Sequence, residues 1–515
     1  MLNSSRGPLL YQINTRGFLF ELGRSLGRRA TFDDISDAAI ARWAELGFDW
    51  IWMLGVWQTG PAGRAVSRSN AVRRQEFKQA LPDLTDDDIS GSPLAVQRYA
   101  AHVDFGGPES LTRFRSRLRN RGLKLMLDFV PNHTALDHRW VVERPEYYVQ
   151  GTDADLADQP DNWFRVNTCR GRQVMAHGRD PNYPGWPDTA QLNYRARELR
   201  RAMIDILLTI AGQCDGVRCD MAMLLLPEIM QRTWGERAKP AEGSPPIDAP
   251  FWPDAITAVH RTSPDFVFLA EAYWDLEWTL QQQGFDYTYD KRLYDRLHER
   301  NAAAVRGHLT ANADFQRKSV RFLENHDEPR AAAAFQPEVH RAAAVVAYLV
   351  PGARFFHDGQ LQGRRLRTPP HVRRRPDEPV DAGLAGFYER LLETLRGPVV
   401  HAGQWRLHEC QPAWSENSTF AQFIVVTWQT GDGQRLLAVV NYGPAAGQCY
   451  VRLEFAGAET GRLLLRDRFS DAVYERDAAE LNSCGLYLDM PAWGLHVFDV
   501  TSSGCIVRID PRERA

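Results

Sequence analysis

The sequence has no CxxC pair, no apolar run long enough to cross a bilayer, no internal repeat and no excess of either charge. Its seven cysteines, Cys169, Cys214, Cys219, Cys410, Cys449, Cys484 and Cys505, are odd in number and scattered over 515 residues. That spacing argues against a disulfide framework and a zinc site and leaves reduced thiols, mostly buried. The longest apolar stretch, Ala342 to Val350, is far shorter than a membrane span. Met1 to Phe18 carries polar and charged residues ahead of any apolar run of the kind a secretory leader needs, so a cytoplasmic location is expected. Lys plus Arg number 62 against 65 Asp plus Glu, a net charge of -3. No global field draws the chain to nucleic acid or to an anionic membrane, and any ligand must be recognised locally.

The composition, 44% hydrophobic and 25% charged, is that of a folded protein, long enough for several domains or one large barrel with attachments. Aromatic residues are plentiful, with Trp 15, Tyr 16 and Phe 24. Most belong to cores, yet flat aromatic faces also suit sugar rings, which places carbohydrate among the ligands to consider.

Short β-branched or aromatic runs stand at Leu9 to Asn14, Phe48 to Leu54, Leu123 to Phe129, Gly216 to Asp220, Phe266 to Glu271, Phe285 to Asp290, Val320 to Asn325 and Arg354 to His357. Helical patterns lie between them. Pro108 opens one, Leu111, Phe114 and Leu118 space its apolar face, and Gly122 stops it. Another runs from Glu198 to Gly212, with Leu199, Met203, Ile206, Leu207 and Ile210 on one face. This alternation predicts a (β/α)8 barrel over residues 1–131 and 194–397. Asn132 to Asn193 breaks the rhythm and reads as an irregular insertion after strand three, at the barrel's C-terminal face. A second long loop, Gly55 to Gly107, carries the acidic patch Asp86, Asp87 and Asp88. From residue 398 to 515, alternating runs such as Phe423 to Trp428, Leu436 to Asn441, Cys449 to Phe455 and Gly494 to Val500 predict a separate β-sandwich domain.

Catalytic groups of such barrels come from the C-terminal ends of different strands, and acids recur there. The third strand runs into Asp128, Asn132 and His133, the fourth into Arg218 and Asp220, the fifth into Glu271 with Trp274 following, and the seventh into Glu324, Asn325, His326 and Asp327. Arg218 and Asp220, two residues apart on a strand, project to one face, where the guanidinium would keep Asp220 ionised. A carboxyl such as Glu271, beside other carboxylates and shielded from water by Trp274, would have its pKa raised, as a general acid requires.

In this order the motifs resemble glycoside hydrolase family 13, the α-amylase family, over the whole chain: DxxxNH at Asp128 to His133, GxRxD at Gly216 to Asp220, ExxW at Glu271 to Trp274, and NHD at Asn325 to Asp327. The resemblance implies a retaining mechanism, with Asp220 as nucleophile, Glu271 as acid/base and Asp327 gripping hydroxyls of the reacting sugar. It also implies that His133, His326, Arg218 and Trp274 contact substrate, and that Asp128 and Asn132 give structural support. Two carboxyl groups about 5 to 5.5 Å apart would then act from opposite sides of one bond.

The pattern departs from the family in places. Met223 and Leu224 stand where many starch-degrading members carry Lys-His, and Gly91, Ser92, Pro93 and Leu94 stand where many carry a tyrosine floor for the sugar. Asn132 matches a calcium-ligating position and Asp188 is a second candidate, but calcium takes about six to eight oxygens, so no cofactor is required and calcium is only admitted. Arg364, Arg365, Arg367, Arg373, Arg374 and Arg375, after strand eight, read as a solvated face or as a cradle for an anionic acceptor. The expected activity is hydrolysis of α-glucosidic bonds in short oligosaccharides or glucosides. The rivals are a glucosyl transferase, phosphorylase or trehalose-forming isomerase of the same family, and a barrel that has lost catalysis and serves as a binding subunit.

Overall fold

The computed structural model describes residues 7–239, 249–453, 455 and 460–502. Cys505, the first residues of the Met1 to Phe18 segment and the end of the 398–515 region lie outside the described residues. Eight parallel strands close into a barrel: β1 (Leu9–Asn14), β2 (Trp50–Leu54), β3 (Lys124–Phe129), β4 (Gly216–Cys219), β5 (Val267–Ala270), β6 (Tyr287–Tyr289), β7 (Ser319–Arg321) and β8 (Ala353–His357). Strand β1 pairs with both β2 and β8, so the sheet has no open edge.

The alternation of side chains along each strand explains both the core and the site. One parity (Leu10, Trp50, Trp52, Leu54, Met126, Val267, Leu269, Tyr289, Val320, Phe355) fills the barrel interior as its own cluster. The other (Leu9, Ile13, Ile51, Met53, Leu125, Leu127, Val217, Phe268) faces outward into the layer of helices. Gly216 belongs to the inward set for a steric reason. A Cβ there would lie 2.8 Å from the Val267 carbonyl and 3.0 Å from the Trp50 ring, so glycine leaves the space that the indole occupies. The helices read from sequence form at Gly107–Arg119 and Arg197–Ala211, and bury Leu111, Phe114 and Leu118, and Leu199, Met203, Leu207 and Ile210. Ile206 is only partly buried, at the margin of that face.

The segment after β3 carries a short antiparallel pair, His133–Ala135 with Thr189–Gln191, and a small sheet of Gln150–Gly151, Trp163–Thr168 and Gly171–Ala176. Beyond the barrel a six-stranded sheet, in the order Gln404–His408, Phe423–Gln429, Arg435–Asn441, Leu495–Ser502, Arg462–Asp467 and Val473–Asp477, shares a core with a three-stranded sheet. The Trp428 indole donates to the Leu349 carbonyl at 2.9 Å and the Tyr442 hydroxyl to that of Leu297 at 2.7 Å, which ties this region to the barrel.

The basic loop after β8 is not a solvated face. Arg374 donates to Asp83 and Asp88, Arg375 to Glu21 and Asp358, and Arg367 to Glu76. These pairs join the loop after β8 to the loop after β2 and to the helix Thr15–Leu26. The acidic patch is engaged in the same way, with Asp86 on Arg74 and Asp88 on Arg374. The Arg375 side chain is 12% exposed, and Asp358 also accepts from the Tyr11 hydroxyl. Removing Arg375 would strand Glu21 and Asp358 as partly buried charges, a loss of up to about 3–5 kcal/mol. Arg375→Ala is therefore expected to lower the calorimetric unfolding temperature clearly. Arg29→Ala, which breaks an exposed pair with Asp104, should barely move it.

Candidate active site

The upper ends of β3, β4 and β5 converge on one buried guanidinium. Arg218, wholly buried, stands beside Asp128 in the register of β4 with β3 and beside Leu269 in that of β4 with β5. Its Nη1 donates to Asp220 Oδ1 at 2.7 Å and lies 3.9 Å from Asp128 Oδ1, and its Nη2 is 2.7 Å from Glu271 Oε2. The guanidinium lies over the Trp52 ring at 5.4 Å. Asp220 and Glu271 each sit one residue past a strand end and are held by the neighbouring strand. The Asp220 amide donates to the Phe129 carbonyl at 2.8 Å and the Glu271 amide to that of Cys219 at 3.0 Å.

Each carboxylate has further partners. Glu271 accepts from the Met221 amide at 2.7 Å and from the Tyr273 hydroxyl at 2.9 Å. Asp128 accepts from the Trp52 indole at 3.1 Å and the Gly55 amide at 2.7 Å, which makes it the floor on which Arg218 rests. The backbone after both upper carboxyl groups is strained: Met221, Trp274 and Asp275 all have positive φ, at 43°, 64° and 62°.

Burial shifts every acid of the cluster upward. Asp128 is pushed up to about 6 by burial against the pull of Arg218. Burial also raises Asp220, with Arg218 opposing and Asp327 adding. Glu271 is raised by burial and by repulsion from Asp220 and Asp327, with Arg218 opposing. One cation thus serves more carboxyl groups than it can neutralise, and proton sharing among them follows.

The Asp327 side chain is 52% exposed, and its Oδ2 is 3.1 Å from His326 Nε2. Gln12, at the end of β1, supplies an amide N–H 2.9 Å from His326 Nδ1. Burial lowers His326 to about 3 and His133 to about 4, so both rings are neutral. His133 bonds to the Leu94 backbone and packs 5.2 Å from the Trp186 ring.

Sequence reasoning named Asp128, Arg218, Asp220 and Glu271, and the structure brings them together. It puts Asp327 beside His326, and His133 at the base of the insertion. Trp274 is 37% exposed, and the aromatic group bonded to Glu271 is Tyr273 instead. Glu324, the nearest alternative acid, faces away, binding Arg330 at 2.6 Å and capping the Ala331 amide at 2.7 Å. Gln12, Trp52 and Tyr273 were missed. Gln12 had a signal, since a lone amide in an apolar strand needs a partner.

The family model for the α-amylase catalytic domain matches residues 96–369, more than half of the chain. The chain belongs to the α-amylase family. Among curated relatives, α-amylase MalA of Haloarcula japonica is 25% identical over 306 residues, covering 56% of this chain and 40% of that protein. An α-glucosidase of Culex pipiens is 23% identical over 394 residues, covering 68% and 61%. The chain thus matches less than two thirds of the length of either. A crystal structure of the maltogenic α-amylase AmyB from Thermotoga neapolitana shares the fold, with a TM-score of 0.67 and 18% identity over 96% of this chain and 98% of that one.

The calcium position of this α-amylase-family chain has donors that are already engaged. Asn132 exchanges hydrogen bonds with Gln191, at 3.2 and 2.9 Å. Asp188, 1% exposed, is gripped by both Nη atoms of Arg73, at 3.1 and 3.4 Å. Burial pushes Asp188 up, but Arg73 brings it below its ordinary value. The described residues hold no cluster of three or more His, Cys, Asp or Glu able to take a metal. This donor set does not fit calcium. Met223 and Leu224, at the Lys-His positions, are buried in a 3-10 turn and bring no polar group to the cleft. Chelator treatment is therefore expected to leave the unfolding temperature unchanged, whereas Arg73→Ala should lower it by exposing Asp188 to unpaired burial. A calcium-dependent rise in the wild type would contradict this assignment.

Proposed function

We propose that the chain is a retaining glycoside hydrolase acting on α-glucosidic bonds of short oligosaccharides or glucosides. The observation that carries the reading is the buried Arg218 guanidinium within 2.7 Å of both Asp220 and Glu271 at the mouth of the barrel. The names of the relatives, an α-amylase and an α-glucosidase, support the substrate class.

In this reading Glu271 gives its proton to the glycosidic oxygen as Asp220 attacks the anomeric carbon, forming a glycosyl ester and releasing the leaving sugar as an alcohol. Glu271, now a carboxylate, takes a proton from water, whose oxygen displaces Asp220 from the same carbon. The two inversions together retain configuration. Arg218 holds Asp220 in the ionised form that attacks, while burial and the neighbouring charges keep a proton on Glu271. Asp327 and the neutral His326 accept and donate hydrogen bonds to ring hydroxyls, contacts that strengthen as the ring flattens. The carboxyl groups supply the chemistry, and no cofactor is called for.

Asp220→Asn is expected to cost several orders of magnitude in turnover with the melting temperature retained, because the amide forms no ester. Activity above about one per cent of wild type would remove Asp220 from the role. Glu271→Gln should slow substrates with poor leaving groups far more than activated aryl glucosides, whose phenolate departs with little protonation. Activity needs Asp220 ionised and Glu271 protonated, and both are raised, so both limbs of the pH profile should lie above the ordinary carboxylate values. The alkaline limb should vanish in Glu271→Gln. An NMR time course should show the α-anomer first, and early β-anomer would exclude the two-step route.

A further inference from the structure

A cavity of about 490 Å³ opens between the helix Thr15–Leu26, the helix Pro61–Ser69 and the loop after β8. None of Asp128, Asp220, Glu271 or Asp327 lines it. Its walls are unusually cationic. Some of the charge is spent, since Arg28 pairs with Asp34 and Arg29 with Asp104. Arg24 approaches the exposed Asp377 at 3.9 Å, and Asp87 and Asp104 also line the space. Among the described residues Arg16, Arg64 and Arg373 have no carboxylate partner, and Arg68 approaches only the exposed Asp87, at 4.0 Å. The Nε atoms of Arg64, Arg68 and Arg373 are buried without a hydrogen-bond acceptor. Arg16 is 6% exposed, and its Nη atoms bind only neutral oxygens, the Gly91 carbonyl at 2.6 Å and the Thr59 hydroxyl at 2.7 Å. Its pKa is lowered to about 10 by burial and by Arg64.

Like charges gathered in a partly enclosed space, with buried donors unmet, leave a site short of an anion. Guanidinium forks match the tetrahedral oxygens of phosphate, and a dianion would offset about two of the unpaired cations. The cavity also has an apolar side. Phe20 and Phe105 line it, and the Arg373 guanidinium lies over the Phe20 ring at 5.1 Å. Its volume falls in the range of about 300–1,000 Å³ typical of small-ligand pockets, larger than a bare phosphate needs. We propose that this cavity binds a small organic phosphate, its phosphoryl group held by Arg64, Arg68 and Arg373 over Arg16 and its organic part against Phe20 and Phe105. The lining comes from segments after β1, β2 and β8, so an occupant would brace the loops that also frame the active site.

The test is calorimetric titration of the full chain with glucose 6-phosphate and with inorganic phosphate, against chloride at equal ionic strength. Saturable binding of glucose 6-phosphate is expected, tighter than that of inorganic phosphate. Arg64→Gln with Arg373→Gln should weaken it by about tenfold or more, since each charge-assisted contact is worth roughly a factor of ten. Asp220→Asn should leave it unchanged. Removing like charges from the empty cavity should keep or raise the unfolding temperature of the double variant. Arg373→Gln alone, expected to weaken binding by a smaller factor, serves if the double variant does not fold. Absence of saturation, equal heats with chloride, unchanged affinity in the arginine variants, or loss of binding in Asp220→Asn would each overturn the proposal.

Discussion

Arg218 carries its charge into the barrel without exposure to water, and it does so because Asp128, Asp220 and Glu271 surround it. The dependence is mutual. A buried cation is costly unless paired, and so is each of the carboxyl groups, so none of the four would be tolerated there alone. Barrel closure supplies the meeting point. Parallel register places Asp128 beside Arg218, while the strand ends leave Asp220 and Glu271 one residue above, their amide N–H groups hydrogen-bonded to the Phe129 and Cys219 carbonyls. The low dielectric that makes the cluster demanding also strengthens its interactions, so a change at any member alters the proton affinity of the rest.

The same logic extends to the neutral groups at the rim. His326 is kept uncharged by burial and by the nearby guanidinium, and the Gln12 amide on the first strand lies 2.9 Å from its Nδ1. Continuous pairing of β1 with β8 allows residues more than three hundred positions apart to act as neighbours.

Strand positions were legible because each barrel strand pairs an apolar run with a switch to polar residues, and that switch marks the C-terminal face where Asp128, Asp220 and Glu271 lie. The strands end at Ala270, Tyr289 and Arg321, short of the Glu271, Asp290 and Asn325 expected, since side-chain character does not mark where regular pairing stops. The arginines after β8 misled for a different reason. Charge in a sequence gives no hint of its partners, and theirs, Glu21, Glu76, Asp83 and Asp88, lie far earlier in the chain. Tyr273 was overlooked beside the more conspicuous Trp274, and the backbone turn that points one at Glu271 and the other outward is a matter of dihedral angles, not composition.

The ion pairs that join the loop after β8 to the loop after β2 also separate two kinds of rigidity within one molecule. The barrel is held by apolar burial, which dissolved salt strengthens slightly if it affects it at all, whereas the rim is held by charges that mobile ions screen. Because most rim pairs are partly buried and in direct contact, that screening reaches them less than it reaches an exposed pair such as Arg29 with Asp104.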